Sequence, residues 1–141
     1  MSFLLDTCVI SELTKPGPDE SVLRWLSARD EDELYLSVLT IAELEKGIAR
    51  LPPSRKRTRL THWVRGDLLQ RFEGRLLAIE LLVAQSWGER VGTSEKNGQP
   101  LPVIDSLIAA TANVHRMQLV TRNVADFKRY GVSCTNPWAQ C

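Results

Sequence analysis

Short apolar runs alternate with amphipathic stretches along this chain of 141 residues. Phe3-Leu4-Leu5 reads as a buried strand, and Leu34-Tyr35-Leu36-Ser37-Val38, Leu76-Leu77-Ala78-Ile79 and Gln118-Leu119-Val120-Thr121 repeat the form, with Val132-Ser133-Cys134 as an edge strand. Between them the spacing turns helical. A helix from Thr7 ends at the breaker Lys15-Pro16-Gly17-Pro18, and Asp19 caps a second one carrying Val22, Leu23, Trp25 and Leu26, closed by an acidic turn over 30–33. A helix over 40–50 puts Ile41, Leu44 and Ile48 on one face, and Pro52-Pro53 opens a long basic helix over about 54–72. Further helices fall over 83–92 and 103–115, with a loop at Asn97-Gly98. Alternating strands and helices predict βα units on a parallel sheet, hence an α/β fold in one domain, residues 1–141.

Three acids stand at strand-to-helix junctions or helix starts: Asp6, Glu43 and Asp105. Each has a structural role to weigh. Asp6 can be a helix N-cap, and Thr40-Ile41-Ala42-Glu43 fits a capping box. Asp105 shares a helical face with Ile108, Ala109 and Ala112, a face suited to burial, where a carboxylate must be protonated, paired with a cation or bound to metal. Ligands of open α/β sheets gather beyond the carboxyl ends of the strands, so acids from distant parts of the chain can converge there. Converging carboxylates repel unless a divalent cation neutralises them, and all-oxygen donors without His or Cys suit Mg²⁺ or Mn²⁺ rather than zinc. A metal-activated water then suits phosphodiester hydrolysis. A fourth position follows Thr121, where Asn123 can coordinate without charge and Asp126 lies one helical turn later.

Charge sharpens this picture. The net charge of +1 conceals a segment, 46–75, with nine Lys/Arg against two Asp/Glu. Such a segment is either a solvated helix face or a tracker of phosphate backbone, with Arg55, Lys56, Arg57, Arg59 and Arg65 as RNA-guiding candidates. A 43% apolar and 25% charged composition is that of a soluble globular chain, and no apolar run approaches the ~20 residues of a membrane span. No signal peptide is expected, since Asp6 breaks the first apolar run. Cys8, Cys134 and Cys141 are odd in number and lack metal-ligand spacing, so a reducing, cytoplasmic compartment is expected. Trp25, Trp63, Trp87 and Trp138 lie among Leu and Val and are assigned to packing before base stacking, and His62 and His115 take no catalytic role.

The runs Leu4-Leu5-Asp6-Thr7-Cys8-Val9-Ile10-Ser11-Glu12-Leu13, Leu36-Ser37-Val38-Leu39-Thr40-Ile41-Ala42-Glu43-Leu44, Asp105-Ser106-Leu107-Ile108-Ala109-Ala110-Thr111-Ala112 and Val120-Thr121-Arg122-Asn123-Val124-Ala125-Asp126-Phe127, with Asn136-Pro137-Trp138, resemble the PIN-domain ribonucleases. Within them they resemble the VapC toxins of toxin–antitoxin pairs, FitB-like members included. The resemblance implies a three-layer α/β/α sandwich and a Mg²⁺-dependent endoribonuclease inhibited by a cognate VapB-like antitoxin. It also implies a homodimer. Carried over by position, Asp6 and Asp105 match the principal metal-binding aspartates and Glu43 the motif glutamate. Thr7 and Thr121 are expected to orient carboxylates. The chain departs at the fourth position, where some relatives have Asp and this one has Asn123; Asp126 is the carboxylate that can substitute through a water. Two other readings are weighed. A phosphatase using Asp6 as nucleophile would want a second carboxylate two residues on, where Cys8 stands. A catalytically silent PIN-like module that binds RNA or a partner protein is the alternative from another class.

Overall fold

The computed structural model describes residues 1–139. Cys141 lies outside them. Five parallel strands, β1 (Phe3–Leu5), β2 (Leu34–Ser37), β3 (Leu76–Leu77), β4 (Gln118–Val120) and β5 (Cys134–Thr135), form one sheet in the order β3-β2-β1-β4-β5. Leu4 stands opposite Tyr35 on one side and Leu119 on the other, so β1 is the central strand.

Side chains alternate across a strand, and here the alternation sorts two cores. Phe3, Leu5, Leu34, Leu36 and Val120 face one cluster with Val9, Ile10, Val22, Trp25, Leu26, Leu68 and Phe72. Leu4 and Leu119 face the other, with Ile108, Ala109, Ala112, Phe127 and Tyr130. The first face is covered by α1 (Thr7–Leu13), α2 (Glu20–Ser27), α3 (Val38–Ala49) and the segment after it; the second by α7 (Val103–Val114) and α8 (Val124–Lys128), with α6 (Leu81–Lys96) packed on α7. This is the expected three-layer α/β/α arrangement.

Several boundaries differ from the sequence reading. α3 begins at Val38 because Ser37 ends β2 and caps the helix, its hydroxyl accepting from Leu39 N at 3.0 Å. Thr40 is therefore the third residue of the helix, not its cap, and is fully buried, and no Thr40–Glu43 capping box forms. α6 is longer than expected, β3 is limited to two residues, and β5 starts at Cys134 rather than Val132. The long basic helix is helical throughout but not uniform: α4 (Arg55–His62) passes through a π turn at Trp63–Leu68 into α5 (Leu69–Arg71). Val64, Leu68 and Phe72 are buried at intervals of four, and the wider turn keeps this slightly long repeat facing the core.

The tryptophans pack, as expected. Trp25 is buried against Phe3 edge-on, Trp63 and Trp138 join the first core, and Trp87 donates its indole N–H to Ser106 Oγ at 2.8 Å. No helix among the described residues is long and apolar enough to cross a membrane.

Leu4 has no exposed surface in the central strand. Leu4→Ala is expected to lower unfolding free energy by about 2–5 kcal/mol in urea titration; an unchanged midpoint would contradict its place in the core.

Candidate active site

The strand order makes a crevice. The connection leaving β1 runs to β2 on one side, whereas β4 lies on the other side of β1, so the chain departs in opposite directions above β1 and β4. Asp6 is the first residue after β1 and Thr121 the first after β4. Asp6 is 5% exposed, and its backbone N–H donates to Val120 O at 2.9 Å. Its Oδ1 accepts from Thr7 N at 2.9 Å, which is the N-cap role. Its Oδ2 accepts from the Thr121 hydroxyl at 2.8 Å and takes a longer contact from Cys8 Sγ at 3.7 Å. Asp6 is thus a cap and a site residue together.

The two threonines extend the network in opposite directions. The Thr7 hydroxyl donates to Glu43 Oε1 and lies 3.3 Å from the Thr40 hydroxyl, which fixes Glu43 of α3 beside α1. Thr121 Oγ1 accepts from Asn123 N at 3.0 Å and so shapes the turn into α8, where Asn123 is the exposed N-cap and Asp126 an exposed first-turn acid. Asp105 sits in the first turn of α7. The face it shares with Ile108, Ala109 and Ala112 is buried, but Asp105 itself is half-exposed, because it stands where that face emerges at the end of the sheet.

Electrostatics join these acids. The Asp105 carboxyl is held above the usual range, first by burial, then by the charges of Asp6, Glu43 and Asp126, against the opposing pull of Arg129. Burial and the Asp6 charge also raise the Cys8 thiol, which keeps it a protonated donor to Asp6. All four acids present hard oxygen donors. Among the described residues no three His, Cys, Asp or Glu side chains close around one point as a finished metal cage. Any cation held here would meet oxygen donors alone, the donor type that suits a hard divalent ion.

The basic segment divides. Arg65 is held by Glu45 in a two-pronged pair at 3.0 Å, and Arg71 and Arg75 are engaged with Glu31 and nearby backbone carbonyls. Arg55, Lys56, Arg57 and Arg59 form no ion pair among the described residues, and neither do Lys46 of α3 and Arg50 at its C-cap. Arg65 therefore differs from the other four candidates: its charge is already answered within the fold.

Sequence reasoning missed Thr40, Cys8 and Arg129 as neighbours of the acids. Thr40 carried one signal, its place one turn before Glu43 on the same helical face. It also missed Glu12, which is 4% exposed near the end of α1. Glu12 accepts from Lys15 Nζ and Asp19 N, both at 2.9 Å, and pairs with Arg122 at 3.6 Å. Arg122 in turn lies over the Trp138 ring at 4.2 Å, tying the C-terminal turn to the residue beside Thr121.

A raised Asp105 pKa has a sign for stability. The extra stability of the protonated form is full below the ordinary Asp value and is lost as pH rises through the raised one. In metal-free protein, Asp105→Asn is expected to raise Tm at pH 7, with the gain vanishing as pH falls below about 3.9. Thermal unfolding scans across pH in EDTA check this; a Tm difference that persists unchanged in acid would contradict it.

Comparison with known proteins agrees with this geometry. The PIN domain family matches residues 3–132. The VapC ribonuclease Y4jK of Sinorhizobium fredii is 37% identical over 135 residues, covering 96% of each chain. Toxin FitB of Neisseria gonorrhoeae is 36% identical, covering 96% of this chain and 97% of that one. The crystal structure of FitAcB from Neisseria gonorrhoeae superposes with a TM-score of 0.89 at 35% identity, over 98% of this chain and 99% of that one. The chain belongs to the PIN-domain family, in the group that contains the VapC and FitB toxins.

Proposed function

We propose that this protein is a Mg²⁺-dependent endoribonuclease that serves as the toxin of a toxin–antitoxin pair. The observation that carries the reading is the convergence of four acids, in which burial and the charges of Asp6, Glu43 and Asp126 together raise the pKa of Asp105. Likeness along nearly the whole chain to a protein named a VapC ribonuclease and to one named toxin FitB supports the activity and the role. Mn²⁺ offers the same oxygen-seeking chemistry.

Asp6 and Asp105 would hold the cation, with Glu43 turned toward it by Thr7. When bound, the cation would supply Lewis-acid neutralisation of the phosphate and a lowered pKa for the attacking water. Asp6 is fixed from both sides of the crevice by neutral donors, so its charge remains available. Asn123 and Asp126, at the start of α8, frame the outer side and can reach the site through water. Arg55, Lys56, Arg57 and Arg59 would lead the RNA backbone toward the acids by largely sequence-independent attraction. A VapB-like antitoxin would restrain the enzyme. Self-association accords with apolar side chains left in solvent at the starts of α6 and α7, Leu81 at 70% exposure, Leu82 at 66% and Val103 at 58%.

Incubation of antitoxin-free protein with single-stranded and structured RNA tests the reading. Cleavage is expected with Mg²⁺ or Mn²⁺, none in EDTA, and none in Asp6→Asn or Asp105→Asn. RNA binding without cleavage under every metal condition would instead mark a silent RNA-binding module. Thr121→Val removes the hydroxyl that holds Asp6 and is expected to lower Mg²⁺ affinity about 10–100-fold without loss of fold. Unchanged metal dependence in that variant would remove Thr121 from the site.

A further inference from the structure

The turn over 121–123 leads from β4 into α8, whose N-cap, Asn123, makes no capping hydrogen bond with its side chain. A helix this short and uncapped does little to fix the backbone before it. What fixes that backbone comes from distant parts of the chain. Thr121 N donates to Thr135 O of β5 at 2.9 Å, and the Thr121 hydroxyl donates to Asp6 Oδ2 at 2.8 Å. Arg122 N donates to Cys8 Sγ of α1 at 3.5 Å. The Arg122 guanidinium then reaches both Glu12 of α1, at 3.6 Å, and the face of the Trp138 ring, at 4.2 Å.

We infer that Arg122 and Trp138 are positioning residues of the site. Their stack holds the turn over 121–123, the turn presents the Thr121 hydroxyl to Asp6, and the affinity of Asp6 for a divalent cation depends on that clasp; the inference rests on the cation-binding reading.

Glu12 does not need Arg122. Lys15 Nζ and Asp19 N already donate to its two oxygens, both at 2.9 Å. The hydrogen bond from Lys15, then the amide of Asp19, hold its carboxyl below the ordinary range, and the Arg122 charge is the smallest influence. The acid is therefore a fixed anchor for Arg122, not a charge that waits for it.

Trp138 supplies the second observation. Its ring packs against the first core, and the turn Pro137–Ala139 that carries it lies on α2. Asn136 Oδ1 accepts from its backbone N–H at 2.9 Å, which seats the turn. Its indole N–H is buried and has no partner among the described residues. An unpartnered buried donor costs stability, so the position does not use the polar end of the indole. It uses the ring face, and that face meets Arg122. A guanidinium stacked on an aromatic ring gains from charge and from planarity, and an aliphatic side chain at 138 would offer neither.

Calorimetric Mg²⁺ titration of the whole, antitoxin-free chain tests this, with Tm recorded for each variant. Trp138→Leu is expected to weaken Mg²⁺ binding about fivefold, less than removal of the Thr121 hydroxyl, which touches Asp6 directly. Trp138→Phe keeps an aromatic face, drops the orphan N–H and is expected to bind as the native chain does. Arg122 is half-exposed, so Arg122→Met should reproduce the loss without disturbing the core, should Trp138→Leu fold poorly. The double variant should bind no more weakly than either single one, because both break the same contact. A contact that served the fold alone would lower Tm and leave the affinity of the folded protein unchanged. That result, equal loss in Trp138→Phe and Trp138→Leu, or losses that add in the double variant would overturn the inference. Absence of Mg²⁺ binding by the native sequence would remove the cation-binding reading and this inference with it, a failure visible before any variant is made.

Discussion

The Asp6 carboxylate, pinned between Thr7 N–H and the Thr121 hydroxyl, is the constraint on which the site depends. It sits at 5% exposure where β1 and β4 send the chain in opposite directions. Neutral donors orient a carboxylate without cancelling its charge, and a buried charge left uncancelled is costly. Every other element of the site responds to that. Thr7 carries the network onward to Glu43, Thr121 carries it to the turn before α8, and the charges of Asp6, Glu43 and Asp126 join with burial in raising Asp105. The fold places negative charge where it does not stabilise the fold.

Glu12 shows that this is specific to the site. It is buried to the same degree as Asp6, yet the hydrogen bond from Lys15 and the amide of Asp19 hold its pKa below the usual carboxylate range, with Arg122 adding to the effect. One acid is neutralised within the chain and acts as a brace for the turn after α1. Asp105, whose pKa moves the other way, has only the charge of Arg129 opposing three carboxylates. Groups pushed away from their ordinary pKa by burial and by like charge are the ones expected at functional sites.

Much of this was legible in the residues because local signals were strong. Asp19 caps α2 through Ser21 N and Val22 N, the Pro16-Gly17-Pro18 breaker ends α1, and the strand cores fall where apolar runs put them. Asp6 and Asp105 were legible for the same reason, one just past a strand and one in a helix's first turn, whereas Glu43 lies in the second turn of α3. What was not legible depends on tertiary placement. The order β3-β2-β1-β4-β5 cannot be read from alternation, so neither can the Asp6–Thr121 contact across 115 residues. Thr40 matched a capping box in sequence, but Ser37 caps first and frees Glu43 for Thr7. Arg65 looked like the other basic residues until α3 brought Glu45 beside it.

The central proposal is that Asp6 and Asp105 together hold a divalent cation. Calorimetric titration of the antitoxin-free protein with Mg²⁺, without RNA, tests it most directly. Saturable binding that Asp6→Asn and Asp105→Asn each weaken, with the folded state preserved by circular dichroism, is the result the account predicts. Binding of equal strength in both variants, or none in the native sequence, would contradict it.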